Sequence, residues 1–333
     1  MRTCIIGAGS FGTALSTVVS VHSEQVTIWG RDPKLVLAVN EQHENPVYLS
    51  GVALPQKVRA TTSLEEALSG AELVICATPS HVMREVIGKA RDFLPRAVPL
   101  LTVAKGIENE TLLTMTEVLE DCLPEEYHPY LAVLSGPSFA QEIARRMPTV
   151  VTVASRWDKI ALRCQKLLQT EAFRAYTSTD VVGVQLGGAL KNVIAIAAGM
   201  ADGLGFGHNA RAAIITRGLA EITRIAVRRG ANPLTLSGLS GVGDLVLTCT
   251  GELSRNRRVG VELGKGRSLT EILGETKQVA EGVKTAISAR DLSQKLGVEL
   301  PICDQVYLIV HRAKNPRTAV VELMTRQPKS ELM

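Results

Sequence analysis

Lys191 is the only charged residue between Asp180 and Asp202, in a run otherwise built of apolar and small side chains with Gln185 and Asn192 among them. Removing an ammonium from water without a partner is costly, and burial lowers its pKa toward the range where a proton can be exchanged near neutrality. Lys191 is therefore a candidate general acid and base, the plainer alternative being a side chain that snorkels out of a core helix. A second centre lies at 241–258, where Gly241, Gly243 and Gly251 lead into Ser254-Arg255-Asn256-Arg257-Arg258. An arginine fork matches a phosphate bidentately and Ser254 and Asn256 add neutral hydrogen bonds, so the segment reads as an anion grip; a solvated basic helix start is the alternative. Asp244, in the same segment, can orient Lys191 or bind a substrate hydroxyl.

A different chemistry opens the chain. Gly7-Ala8-Gly9-Ser10-Phe11-Gly12 fits G-x-G-x-x-G. In that pattern Gly7 permits a tight turn, Gly9 lets the backbone approach a pyrophosphate, and Gly12 lets helix and strand pack closely. The helix N-terminus that follows offers oriented N–H groups to phosphates. The next apolar run ends in Trp29-Gly30-Arg31-Asp32. A strict NAD fingerprint has an acid directly at the strand end, whereas Arg31 can pair with a 2′-phosphate. NADP is thus favoured or at least accepted, unless Arg31 is only a solvated loop residue.

These residues need a scaffold. Thr3–Ile6, Val26–Trp29, Leu73–Ala77, Leu100–Ala104, Leu131–Leu134 and Val150–Val153 read as strands, alternating with helical stretches such as Leu64–Leu68 and Val82–Arg91. The alternation predicts an α/β fold with an N-terminal Rossmann-type, doubly wound parallel sheet whose ligand crevice lies beyond the carboxyl ends of the strands. Three strands run into suggestive residues there. Leu100–Ala104 leads to Lys105-Gly106, an ammonium beside a glycine that lets a ligand come close, or else a surface lysine. Leu131–Leu134 leads to Ser135-Gly136-Pro137-Ser138-Phe139-Ala140, where Ser138 can hydrogen-bond a phosphate or hydroxyl, or cap a helix. Leu73–Ala77 leads to Thr78-Pro79-Ser80, near the nucleotide by the same logic. From about Gln185 the pattern becomes helical, with Ala212–Arg229 a second long run, so two domains are expected: 1–184, binding NAD(P), and an all-helical 185–333.

A chain of 333 residues exceeds what one core usually organises. Its net charge of +4 is too small and dispersed for a nucleic-acid surface or a membrane-binding stripe, though it suits an anionic small molecule. Val181–Ala201 is apolar enough to be mistaken for a membrane span, but its polar residues and glycines favour a buried helix, so no membrane insertion is expected. The six cysteines are scattered without metal-ligand spacing and read as reduced thiols, and the chain moves straight into a strand, so no metal and a cytoplasmic location are expected.

Together these segments resemble the bacterial NAD(P)-dependent glycerol-3-phosphate dehydrogenases over nearly the whole chain. The match is carried by GAGSFGTA at 7–14, WGRDP at 29–33, KGIE at 105–108, LSGPSFAQEIA at 134–144, LKNVIAIAAGMADGLGFGHNARAA at 190–213, GDLVLTCTGELSRNRRVG at 243–260 and VAEGVKTA at 279–286. The resemblance implies reversible reduction of dihydroxyacetone phosphate to sn-glycerol 3-phosphate with NADP or NAD, supplying glycerophospholipid synthesis, in a homodimer. It implies Lys191 as proton donor and acceptor, and Lys105, Gly136, Ser138, Asp244, Ser254, Arg255 and Asn256 around the substrate. It places Ser10, Phe11, Arg31, Lys105, Ala140, Arg255, Val279 and Glu281 around the nucleotide; Val279 and Glu281 rest on resemblance alone. Two rivals stand beside it: a two-domain dehydrogenase for a β-hydroxy acid, with a carboxylate at Arg255, and a non-catalytic nucleotide sensor.

Overall fold

The computed structural model describes residues 1–275, 280–328 and 330–331. Eight strands form one sheet: β1 (Arg2–Ile6), β2 (Gln25–Trp29), β3 (Val58–Thr61), β4 (Leu73–Cys76), β5 (Leu100–Thr102), β6 (Leu131–Ser135), β7 (Thr149–Ala154) and β8 (Phe173–Ser178). Between them run α1 (Ser10–Val19), α2 (Pro33–Gln42), α3 (Leu64–Leu68), α4 (Met83–Ala90), α5 (Met115–Cys122), α6 (Ala140–Ala144) and α7 (Asp158–Leu168). The strand order is β3-β2-β1-β4-β5-β6-β7-β8, so the chain reverses direction across the sheet between β1 and β4.

The doubly wound sheet expected from the sequence is present with one correction: β7 runs antiparallel to β6, while every other neighbouring pair is parallel. Alternate residues of β1 explain the helical cover on both faces, since Ile5 joins one core layer and Cys4 and Ile6 the other. Two strands escaped the sequence reading. β3 is four residues long with Arg59 exposed, and it is an edge strand whose Ala60 N–H and C=O are both bonded by the Asn40 side-chain amide. β8 alternates buried Phe173 and Ala175 with exposed Arg174 and Tyr176, a period-two pattern of mixed polarity at the other edge.

The remainder is helical: α8 (Val181–Gly203), α9 (Gly207–Arg228), α10 (Pro233–Leu236), α11 (Asp244–Thr250), α12 (Arg255–Gly264), α13 (Leu269–Gly274), α14 (Glu281–Leu296), α15 (Pro301–Arg312) and α16 (Pro316–Met324). α8 is long and apolar enough to cross a bilayer, yet it lies buried inside the protein, with the other helices and the sheet packed round it. Gln185 fastens its start to the first half of the chain, accepting from Thr116 N at 2.9 Å and donating to the hydroxyls of Thr114 and Thr116.

The tightest helix pair is α8 with α12. Gly199 and Gly203 on α8 face Gly260 and Gly264 on α12, a small residue every fourth position on each side. A Cβ on Gly199 would lie 2.0 Å from the Arg257 carbonyl oxygen, one on Gly203 2.2 Å from that of Val261, and one on Gly260 2.1 Å from that of Ile196. Backbone therefore rests on backbone, and this close approach sets the depth at which the Ser254-Arg255-Asn256 start of α12 enters the molecule. Gly199→Ala should lower the free energy of unfolding by about 2 kcal/mol or more, because rigid backbone atoms must move. Gly88→Ala, on the exposed face of α4 with open space around it, should raise it by about 0.5–1 kcal/mol. Urea unfolding of the two variants checks the contrast, and equal midpoints would show that the crossing tolerates a Cβ.

Candidate functional site

The crevice forms where the carboxyl ends of β1, β4, β5 and β6 meet α8, α11, α12 and α14. Lys105 follows β5, and its Nζ donates to Asp244 Oδ2 at 2.7 Å and to the Gly136 carbonyl at 3.2 Å. Lys191, mid-way along α8, donates to the other oxygen of the same carboxylate, Oδ1, and to Thr248 Oγ1 at 2.8 Å. Asp244 is 1% exposed and Lys191 6%. Two ammoniums from distant parts of the chain thus share one buried carboxylate.

Local sequence explains how Asp244 arrives there. The glycine-rich stretch that precedes it makes a π-helical turn, Leu239–Gly243, ending at the first residue of α11. Gly187 admits the turn against α8, since a Cβ there would meet Ser240 O at 2.5 Å. Thr248 lies four residues further along α11, on the same face. Its hydroxyl donates back to the Asp244 carbonyl at 2.6 Å and so presents a lone pair to Lys191. An ammonium has three donors, and each lysine has two engaged by described residues, which leaves one N–H apiece for a ligand.

The electrostatics follow from burial and charge. Burial pushes the Lys191 ammonium down to about 7; Asp244 acts against this and the neighbouring Lys105 adds to it. Burial works on Asp244 in the opposite sense, yet Lys105 and Lys191 together hold its carboxyl below the ordinary range. The carboxylate therefore stays ionised while Lys191 sits poised between its two protonation states. That combination can donate and accept a proton near neutrality.

The other residues singled out from the sequence surround this pair or line the glycine loop. Gly136 has φ +137°, a region an L side chain avoids, and a Cβ there would be 2.9 Å from Val151 Cα. Ser138 donates to the Gly136 carbonyl at 2.8 Å and does not cap α6, whose N-cap is Phe139 with Ala140 as its first residue. Ser254 does cap a helix, accepting from Arg257 N at the start of α12. Arg255 reaches across to the glycine loop, where its Nη2 donates to Ser10 Oγ at 2.8 Å. Asn256 is buried, donating to Asn192 Oδ1 at 3.0 Å and accepting from Gly282 N at 2.9 Å. Glu281 accepts from Ser80 N at 2.9 Å; burial pushes its carboxyl up against that bond and the nearby Lys105 and Arg255. Val279 lies outside the described residues.

The glycine loop fits a dinucleotide. Gly7 has φ +129° and packs on Ala77, so only glycine makes the turn. A Cβ on Gly12 would be 2.2 Å from Gly7 O, whereas the space over Gly9 is open. No side chain caps α1, which leaves its first N–H groups available to phosphate oxygens. Phe11 flanks the loop with Lys105 Nζ 6.0 Å from its ring centre. Arg31 stands exposed just past the end of β2.

Thr248 and Asn192 take part in this network without having been assigned roles from sequence, and Ser80, placed from sequence near the nucleotide, is held by Glu281. The spacing of Thr248 from Asp244 and the adjacency of Asn192 to Lys191 were the available signals; the bond of Ser80 to Glu281 spans 201 positions and left none.

Residues 2–161 match the family described as NAD-dependent glycerol-3-phosphate dehydrogenase N-terminus, and residues 180–321 its C-terminus. The chain is 75% identical over 332 residues to a glycerol-3-phosphate dehydrogenase [NAD(P)+] of Myxococcus xanthus, covering 100% of this chain and 99% of that one. It is 54% identical to the protein of the same description from Anaeromyxobacter dehalogenans, covering 100% of both. The crystal structure of glycerol-3-phosphate dehydrogenase from Coxiella burnetii superposes with a TM-score of 0.92 at 36% identity, covering 98% of this chain and 99% of that one.

The shared carboxylate has an asymmetric consequence. Asp244→Asn leaves two neighbouring ammoniums without a counter-charge and should cost roughly 3–5 kcal/mol of stability, while Lys191→Met leaves a one-to-one Lys105–Asp244 pair and should cost much less. Chemical unfolding of both variants measures the difference; an equal loss would remove Asp244 from its role as common partner.

Proposed function

From the premise that this chain belongs to the NAD-dependent glycerol-3-phosphate dehydrogenase family, and so is an NAD(P)-dependent oxidoreductase interconverting dihydroxyacetone phosphate and sn-glycerol 3-phosphate, we propose how its residues divide the work. The observation that carries the reading is the buried Lys191, paired with Asp244 and held near neutrality in its pKa. When bound, the reduced nicotinamide nucleotide supplies the hydride for C2 of the ketone. Lys191 Nζ gives a proton to the carbonyl oxygen, which becomes the C2 hydroxyl; in the oxidation, neutral Lys191 takes the hydroxyl proton back. Asp244 keeps the amine oriented through one bond and Thr248 through a second, so the remaining N–H points at the reacting oxygen. The free N–H of Lys105 adds a donor where negative charge develops.

Arg255 and Asn256 grip the substrate phosphate from the start of α12, with Gly136, Ser138 and Ser254 lining the same space. Gly7, Gly9, Ser10, Phe11 and Gly12 cradle the nucleotide, with Arg31, Ala140, Val279 and Glu281 along its length. We divide the chain at 184/185 into a nucleotide-binding and a substrate-binding domain; two hydrophobic clusters confined to the first half and a third built on the helices support this, with Ile107 and Leu112 of the first half joining the helical cluster and α8 spanning the line. The reading extends to a homodimer in the cytoplasm whose product feeds glycerophospholipid synthesis. Six unpaired thiols fit a reducing compartment, and the dimer rests on the resemblance.

Protonated Lys191 is the acid for reduction, so the rate of reduction should fall as pH rises through about 7, and oxidation of glycerol 3-phosphate should rise through the same range. Lys191→Ala should lower turnover by about 10²- to 10⁴-fold. Following NADPH and NADH oxidation with dihydroxyacetone phosphate tests both: absence of turnover by the wild type would sink the assignment, and unchanged turnover by the variant would take Lys191 out of it.

A further inference from the structure

Cations collect at one end of the crevice, away from the Lys105–Asp244–Lys191 cluster. Strands β2, β1 and β4 end in register, with Trp29, Ile6 and Cys76 side by side. Arg31 leaves the sheet beyond β2. His81 lies in the 3-10 turn Ser80–Val82 just beyond β4. Adjacent strands are about 4.8 Å apart, so these two residues rise on either side of the Gly7–Gly12 loop, with roughly 10 Å between their strands.

A second cation comes from the other half of the chain. Glu281 at the start of α14 holds Ser80 N at 2.9 Å, which docks that helix against the turn carrying His81. Lys284 lies three residues further on, on the same face of α14, and is exposed. Thr285 beside it closes on the same turn, since a Cβ on Gly106 would meet Ser80 Oγ at 2.2 Å and Thr285 Oγ1 at 3.9 Å. Burial first, then Lys284, then Arg31, holds the His81 imidazole below its ordinary range, as expected where two cations face it from separate elements. The carboxylate of Glu85 on α4 also faces Arg31, but it is paired with Lys89 at 2.6 Å. Arg31 and Lys284 thus face His81 from exposed positions across the ends of β2 and β4, beside the end of β2 where a dinucleotide places its adenosine ribose.

We propose that His81 and Lys284 complete, with Arg31, a three-sided cationic rim that binds the 2′-phosphate distinguishing NADPH from NADH. This rests on the reading of the glycine-loop crevice as the nucleotide site. Lys284 supplies a mobile point charge, Arg31 a planar fork, and His81 an N–H donor even as the neutral imidazole. A dianion in the rim relieves the repulsion between Arg31 and Lys284, and its removal restores it. Nucleotide preference then depends on both halves of the chain, because Lys284 is positioned only when α14 is docked through Glu281.

Calorimetric titration of the full chain with 2′,5′-ADP and with 5′-AMP isolates the extra phosphate without turnover. The wild type should bind 2′,5′-ADP about tenfold or more tightly than 5′-AMP at low salt, and the ratio should shrink as salt is added. His81→Gln and Lys284→Gln should each reduce the ratio about three- to fivefold, and Arg31→Gln by at least as much, the loss falling mainly on 2′,5′-ADP. Lys166→Gln, on the exposed face of α7, controls for net charge and should leave the ratio alone. Equal affinity of the wild type for the two ligands, or equal weakening of both by His81→Gln and Lys284→Gln, overturns the proposal. If neither ligand binds at all, the reading of the crevice as the nucleotide site fails, and the rim with it.

Discussion

One buried carboxylate answers two ammoniums in this protein. Asp244 accepts from Lys105 on one oxygen and from Lys191 on the other, and both lysines have left most of their water behind. The cluster carries a net positive charge in a poorly hydrated place, which is unfavourable without an incoming anion or a lost proton. Those are the two events the proposed mechanism requires: binding of a phosphorylated substrate and proton transfer to its carbonyl oxygen. Lys105 comes from the sheet, Lys191 and Asp244 from the helical half, so the same contact that tunes the lysine also holds the two halves together.

Much of the remaining architecture keeps that cluster in register. The glycine faces of α8 and α12 bring backbone against backbone, so that α12 can begin beside the lysine without a layer of side chains between. From that start, Arg255 extends to the glycine loop while Asn256 ties α8 to α14 through Asn192 and Gly282. Behind them, Asp202 near the end of α8 receives both Arg257 and Arg211, a brace from α12 and α9. Glu281 then closes the circuit from α14 to the end of β4. Apart from the Arg211 brace, which joins consecutive helices, each link is a hydrogen bond or close contact between elements far apart in sequence, and each relies on partial burial to matter, because exposed pairs of the same kind contribute little.

Short-range information was enough for the nucleotide loop and for the candidate lysine. A strand, three glycines and a helix within a dozen residues specify their own geometry, because turn, close approach and helix start are all local events. A lone charge in an apolar stretch is visible in the same way, since its cost does not depend on knowing the neighbours. The edge strands were less legible: β3 is short and polar on one side, and it owes its pairing to β2 and to Asn40 rather than to its own composition.

What the sequence determined alone is therefore chemical type and local form: a dinucleotide turn, a lone lysine in an apolar helix whose burial lowers its pKa, an arginine suited to a phosphate, and alternating strands and helices giving way to helices. Tertiary structure decided partnership. That Asp244 serves both lysines, that Thr248 orients the amine, that Arg255 reaches Ser10, and that Glu281 docks α14 on the turn carrying His81 all depend on segments brought together from up to 245 positions apart. The physical reason is that desolvation can be anticipated from one apolar run, whereas the charge that compensates it is chosen by packing, and packing is settled only when the whole chain has folded.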